Sequence, residues 1–243
     1  MPGPRIVPRL GKRGVVTYVD KVLGYNPIAY WPLWETAGVT ATCLVNAAQN
    51  GTYTGATLAN GTAPDGSPCP LFDGINDYCV VYSVPFRDAF NTANGAVMAW
   101  LRVQNVGVWS DAADRYGIFF SADGGNNSLR LYKISVNNYV EGRYQAGGVA
   151  KNVQYDTSGD LNWFHLAVTW DTTADEMKTF YNGAQVGVTR SSLGVWAGNL
   201  SILYTNIGSV LNSGLLLWQG WIAHVVALDF TPTPAQVADL ATV

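Results

Sequence analysis

The sequence is poor in charge and in the residues that most often carry chemistry. Lys, Arg, Asp and Glu together make up 13% of its 243 residues, about half the share of an ordinary soluble domain. It has two histidines, His165 and His224, and three cysteines, Cys43, Cys69 and Cys79. No C-x-x-C pair occurs, and an odd cysteine count does not make a disulfide framework, so free thiols of a reducing compartment are expected. No apolar run approaches the roughly 18 residues of a membrane span, and "MPGPRIVPRLGKRG" has no apolar core of a secretory signal. No G-x-x-x-x-G-K phosphate loop is present.

Aromatic residues and glycine fill the gap: nine Trp, thirteen Tyr, eight Phe and 26 Gly. That composition favours strands and tight turns over exposed helices. So little surface charge also points to a surface covered by a partner, a second copy of the chain included. Pairs such as Asn60-Gly61, Asp65-Gly66, Asp73-Gly74 and Asn182-Gly183 suit the positive φ of hairpin turns. They punctuate short apolar stretches at the spacing of an antiparallel sandwich or barrel.

Alternation supports this reading. In "NWFHLAVTWD", residues 162–171, Phe164, Leu166, Val168 and Trp170 share one face, opposite Trp163, His165, Ala167 and Thr169. In "GWIAHVVALDF", residues 220–230, Ile222, His224, Val226, Leu228 and Phe230 align, opposite Trp221, Ala223, Val225, Ala227 and Asp229. Both stretches are apolar at nearly every position, as is "GAVMAWLRV" at 95–103, so these strands are expected to be central, with cover on both faces. Helices are few. Residues 84–91 suit two turns, and "TPTPAQVADLATV" suits a terminal helix with Thr233 as cap, Pro234 in first position, and Val237 and Leu240 docking together. "VVTYVDKVL", at 15–23, fits either a strand or a short helix.

The formal net charge of −3 hides an asymmetry. Five of the fourteen basic residues lie in the first 21 positions, against the single acid Asp20. Residues 1–24 are read as an extended basic arm and 25–243 as the sandwich. Within the arm, Arg5, Arg9, Lys12 and Arg13 offer bidentate and ionic contacts, and Ile6, Val7 and Leu10 offer apolar anchors for a neighbouring protein subunit. Nucleic acid is not expected, because no aromatic residue interleaves these cations before Tyr18 and the body is acidic.

Four stretches together resemble the laminin-G-like, concanavalin A-like jelly-roll domains: "NPIAYWPLWETAG" with "NGTYTG"; "PLFDGINDYCVV"; "NWFHLAVTWD" with "DEMKTFYNGAQVG"; and "WQGWIAHVVALDFTPTPAQVADL". The resemblance covers roughly residues 25–242 and implies an all-β, two-sheet antiparallel jelly-roll sandwich with a short C-terminal helix. The variant with "AYWPLWE" and a basic arm is similar to virion structural proteins of tailed bacteriophages. That likeness implies a non-enzymatic capsid decoration protein, assembled in the host cytoplasm into a virion, held by its arm to the major capsid protein or other virion subunits, and homo-oligomeric.

Three chemistries remain to be placed on that fold. Members of the superfamily bind calcium on rim loops, and Asp73, Asn76 and Asp77 could supply oxygens. Two carboxylates and one amide fall short of the six to eight ligands calcium takes, and the same residues read first as a turn, with Asp73-Gly74 bending the chain and Asp77 capping the strand start. Trp109, in "NVGVWSDAADRYG", and Trp196, in "SSLGVWAGN", could stack a host glycan on a tail or adhesive appendage, or plug the sandwich ends. Glycosidase activity needs paired carboxyls. Glu141 has no acid within ten positions, and Asp171, Asp175 and Glu176 bracket a turn, so catalysis is the least supported reading.

Overall fold

The computed structural model describes residues 17–243. In chain order the elements are α1 (Tyr18–Gly24), β1 (Ala29–Trp31), β2 (Thr40–Ala41), β3 (Gly51–Thr54), β4 (Thr57–Thr62), β5 (Pro68–Asp73) and β6 (Tyr78–Val80). Next come α2 (Val84–Ala89), β7 (Asn94–Val103), α3 (Val106–Ser110), β8 (Arg115–Ser121), β9 (Ser128–Lys133), β10 (Tyr139–Ala146) and β11 (Val149–Asp156). The chain ends with β12 (Phe164–Asp171), β13 (Glu176–Tyr181), β14 (Ala184–Arg190), β15 (Thr205–Ile207), β16 (Gln219–Leu228) and α4 (Pro234–Leu240). Two antiparallel sheets of eight strands stack face to face. The first runs β14-β13-β12-β7-β16-β5-β4, with β1 also paired to β16, and the second runs β11-β10-β9-β8-β15-β6-β3-β2.

The main core lies between the sheets. Phe164, Leu166, Val168 and Trp170 of β12 face Leu129, Leu131, Val140 and Tyr144 of the second sheet within one buried cluster. The first sheet is also covered on its outer face, where α1 and α4 bring Tyr18, Val22, Val237 and Leu240 onto Met98, Trp100, Ala167 and Phe180. This double cover is why β7, β12 and β16 are apolar on both sides. Val237 and Leu240 are fully buried, and each contributes about 2 kcal/mol by leaving water.

Both flanking helices are stopped and started by their caps. Thr233 and Gln236 form a capping box ahead of α4, with Pro234 in the first turn, so that helix begins where its sequence directs. Thr17 and Asp20 form the same box ahead of α1. The last eight residues of the 1–24 arm are therefore not extended. They are a capped helix, since Tyr18 and Val22 are spaced to bury one face together. The seven anchoring residues proposed for the arm, Arg5, Ile6, Val7, Arg9, Leu10, Lys12 and Arg13, lie outside the described residues.

One strand departs from simple alternation. The pairing of β16 with β7 shifts register between Ala223 and Val226, and His224 sits there at φ 52°. The bulge adds one residue and reverses the faces downstream. Ile222, Val225 and Ala227 enter the core between the sheets, whereas Ala223, Val226 and Leu228 join the outer cluster. The expected grouping of Ile222 with His224, Val226 and Leu228 is thus corrected beyond Ile222.

Candidate functional site

Three loops meet at the end of the first sheet where β7 begins and β12 finishes. Asn94 pairs with Asp171 across those strands, and Thr172 N–H donates to the Ala93 carbonyl at 2.7 Å. Beside them runs the segment 191–200, which leaves β14 without regular structure. Its fixed points are side chains of other loops. Asp175 accepts from Ser192 N–H and Leu193 N–H, both at 2.8 Å, and these two bonds draw its carboxyl below the usual range. Asn127 Oδ1 accepts from Gly147 N–H and Ala197 N–H, each at 2.9 Å. Between these pins Gly194 presses on the β10–β11 hairpin, where an added Cβ would lie 1.8 Å from the Ala146 carbonyl oxygen. Only glycine lets the segment come so close.

This pinned segment presents Trp196. The indole is half-buried, 5.9 Å from Phe90 and 6.0 Å from Tyr144 between ring centroids. Its Nε1 donates to the Gly198 carbonyl at 3.1 Å. Thr92, Ala93, Thr172, Gly194 and Val195 complete a groove of about 200 Å³ around it. On the other side of the same segment, Lys151, Asn152, Arg190, Ser191 and Ser192 line a polar cleft of about 490 Å³. Arg190 is steadied by its Nε donating to the Asn152 carbonyl at 2.8 Å. An aromatic face, threonine hydroxyls and two cations thus lie along one edge, the mixture of apolar wall and few polar groups that holds small ligands.

Trp109 does not share that site. It sits on α3, just past the far end of β7, and is fully buried. Its Nε1 donates to the Asp160 carbonyl at 2.8 Å, and its ring lies 6.2 Å from Phe164. The expectation of a stacking platform at Trp109 is corrected: the side chain closes the end of the core, because helix capping by Asn105 rolls it inward.

The acidic string at 73–77 makes a turn. Asp73 Oδ1 accepts from Ile75 N–H at 2.7 Å and Asn76 N–H at 3.3 Å. Asp77 Oδ2 accepts from Asp73 N–H at 2.8 Å, and its Oδ1 occupies the space where a Cβ on Gly55 would sit, 2.1 Å away. Asn76 contributes backbone only to this set. Among the described residues no cluster of three or more His, Cys, Asp or Glu is arranged to hold a metal.

The other carboxylates raised by the sequence are also engaged. Glu141 is buried, accepts from Tyr132 OH, and takes hydrogen bonds from Asn152 Nδ2 and Gln154 Nε2, both at 2.9 Å. Asp171 Oδ1 accepts from Thr173 N–H and Ala174 N–H. Both histidines are fully buried. His165 has no partner for either ring nitrogen among the described residues, and burial pushes its pKa down to about 3. Cys43, Cys69 and Cys79 are buried free thiols, and burial pushes Cys69 up to about 12.

The sequence reading missed the Lys151–Arg190 cleft. The two cations are far apart in the chain and meet only because β11 and β14 lie at neighbouring edges of the two sheets.

The family model described as the concanavalin A-like lectin/glucanases superfamily, Laminin_G_3, matches residues 73–238. The chain belongs to this family. Among solved structures of similar fold is the botulinum neurotoxin serotype D binding domain, at 14% identity and TM-score 0.62 over 88% of this chain and 51% of that one. Another is the serotype D ligand binding domain in complex with N-acetylneuraminic acid, at 13% identity and TM-score 0.65 over 91% and 52%. A third is the serotype G binding domain, at 13% identity and TM-score 0.62 over 89% and 50%. The chain spans about half the length of these structures, and at such identities the likeness speaks for the fold. No curated protein matches the sequence.

Proposed function

We propose that this member of the concanavalin A-like family is a non-enzymatic saccharide-binding module whose contact surface is the Trp196 edge. The observation that carries the reading is the rigid presentation of a half-exposed indole by Asp175, Asn127 and Gly194. A sugar ring stacks on such a face beside the hydroxyls of Thr92 and Thr172, while the adjoining cleft of Lys151 and Arg190 receives a further unit of the same saccharide. The cations favour an acidic saccharide, which agrees with the N-acetylneuraminic acid bound by one protein of similar fold. Against a catalytic role, Glu141 and Asp171 spend their oxygens on protein donors, whereas glycoside hydrolysis needs two carboxyls facing one sugar.

A groove of about 200 Å³ holds one ring, so affinity on the order of millimolar per site, about 4 kcal/mol, is expected. Useful avidity then comes from several copies acting together. The test is a panel of neutral and acidic saccharides against the wild-type chain and Trp196→Ala. Retention of some saccharide, lost in the variant at unchanged stability, supports the reading. No retention of any saccharide overturns it.

Attachment to a capsid or another virion subunit through the basic N-terminal segment is a separate proposal, supported by the charge asymmetry of the sequence. Deleting residues 1–16 and measuring occupancy on particles tests it, with unchanged occupancy as the refuting result.

A further inference from the structure

The largest cavity of those described above and here lies away from the Trp196 edge, where α1 and the chain end meet the loops that follow β1 and β4. Tyr18, Val19, Trp34, Pro64, Asp65 and Val243 line this groove of about 670 Å³, a size suited to a small organic ligand. Its walls are mostly apolar or aromatic, and among the described residues that line it Asp65 is the acidic side chain. That carboxylate is held by an unusual arrangement. Asp65 Oδ1 accepts from Ser67 N–H at 3.0 Å and Ser67 Oγ–H at 2.6 Å, and His224 Nε2 lies 3.1 Å from the same oxygen, off the straight line of a good hydrogen bond. Behind His224, Nδ1 is 2.8 Å from Tyr30 OH, and the edge of Tyr18 closes the stack at 4.8 Å between ring centroids. Tyr30 and His224 are fully buried, whereas the Asp65 side chain is 14% exposed.

Two features set this arrangement apart from ordinary packing. His224 adopts φ 52° in mid-strand, a left-handed conformation that residues with a Cβ rarely take and that clusters at functional sites. The bulge it creates turns the imidazole toward the loop of Asp65. Moreover, among the described residues every polar contact to Asp65 falls on Oδ1, and Oδ2 is the oxygen these contacts leave for the groove. Although partial burial opposes ionisation, the contacts with His224 and Ser67 hold the carboxyl well below the usual carboxylate range.

We propose that this groove binds an organic ammonium carried on an apolar body, the ammonium at Asp65 Oδ2 and the apolar part against Trp34, Pro64 and Val19. A fixed side-chain carboxylate beside an aromatic wall suits an ammonium through both ion pairing and cation–π attraction. A divalent metal would need more oxygen ligands than one carboxylate gives. A neutral sugar would need donors as well as acceptors, yet the Thr17 hydroxyl at the groove's edge already donates to Asp20 Oδ2 at 2.8 Å.

The experiment titrates the 243-residue chain with phenethylammonium and with the neutral isostere 2-phenylethanol, following tryptophan fluorescence and calorimetric heat. The expected result is saturable amine binding at least tenfold tighter than alcohol binding, lost in Asp65→Asn. If Asp65→Asn fails to fold, Trp34→Ala, which leaves the buried array intact, carries the test with an expected loss of at least threefold. Equal binding of amine and alcohol, or full affinity in Asp65→Asn or Trp34→Ala, overturns the proposal. So does displacement of the amine by a neutral saccharide. Amine binding that appears only in the Lys12→Ala, Arg13→Ala double variant also overturns it, by assigning the groove to the chain's own cations.

Discussion

Trp109 and Trp196 occupy similar sequence settings, each a Val-Trp pair followed by small or polar residues, yet the fold gives them opposite fates. Trp109 rides a capped five-residue helix that turns its ring into the end of the core. Trp196 rides a segment without regular structure whose backbone is fixed by Asp175 and Asn127, so its ring stays partly outside. The lesson is that the backbone carrying a residue, and the side chains that fix that backbone, decide between plug and platform. Local composition does not.

The comparison can be broken most directly at the buried member. Trp109→Ala should cost about 3–5 kcal/mol of stability through lost burial and the cavity it leaves, read as a fall in denaturation midpoint. Saccharide affinity of the folded fraction should stay at the wild-type value, and a loss there would place Trp109 in the binding site after all. The same end of the sandwich holds Lys133, whose fully buried Nζ donates to Asp111 Oδ1 and to the Asp111 and Ala113 carbonyls. Asp111→Ala leaves that ammonium with its two carbonyl acceptors but without the carboxylate that balances its charge, and should cost about 3 kcal/mol, again without effect on saccharide binding.

A second pair, the two buried histidines, sharpens the point. His224 has Tyr30 and Asp65 beside it, while among the described residues the ring nitrogens of His165 have no hydrogen-bond partner. Because the folded state holds His165 neutral down to about pH 3, the unfolded chain takes up a proton first, from its ordinary value near 6.5. The contribution of His165 is therefore intact above about pH 6.5 and falls with acidification by about 1.4 kcal/mol per pH unit, about 2 kcal/mol by pH 5. Denaturant titrations at pH 7 and pH 5 should show this loss, reduced in His165→Phe.

At the Trp196 edge the stability effects are smaller and the binding effects specific. Trp196→Ala should cost about 1 kcal/mol of stability while weakening saccharide binding tenfold or more, about 1.4 kcal/mol. The smallest change is Lys151→Ala, which should weaken acidic saccharides by about 0.5–1 kcal/mol, diminishing in salt, and leave neutral ones unaffected.

Much of the architecture was legible because it follows from short-range rules. The central strands announced themselves by apolar runs, the Asn182-Gly183 hairpin by residues that accept the observed φ of 48° and 80°, and α4 by Thr233 and Pro234. The Asp73 turn was readable for the same reason. What escaped reading depends on contacts remote in sequence. Asp65 looked like one more Asp-Gly turn, and nothing near it signals His224. Lys151 and Arg190 likewise become neighbours only through sheet stacking. The stretch "VVTYVDKVL" fits two periods, and the docking of Tyr18 and Val22 on the first sheet makes it the helix α1.

The extra residue at His224 makes β16 a strand with a change of phase. Upstream, even-numbered positions look between the sheets; downstream, odd-numbered ones do. Removing His224 would leave Ile222, Val225 and Ala227 between the sheets and Ala223, Val226 and Leu228 outside in plain alternation, with Val226 still opposite Met98. Packing in the two halves of β16 thus does not call for the extra residue, and what the insertion does is hold the His224 imidazole over Asp65.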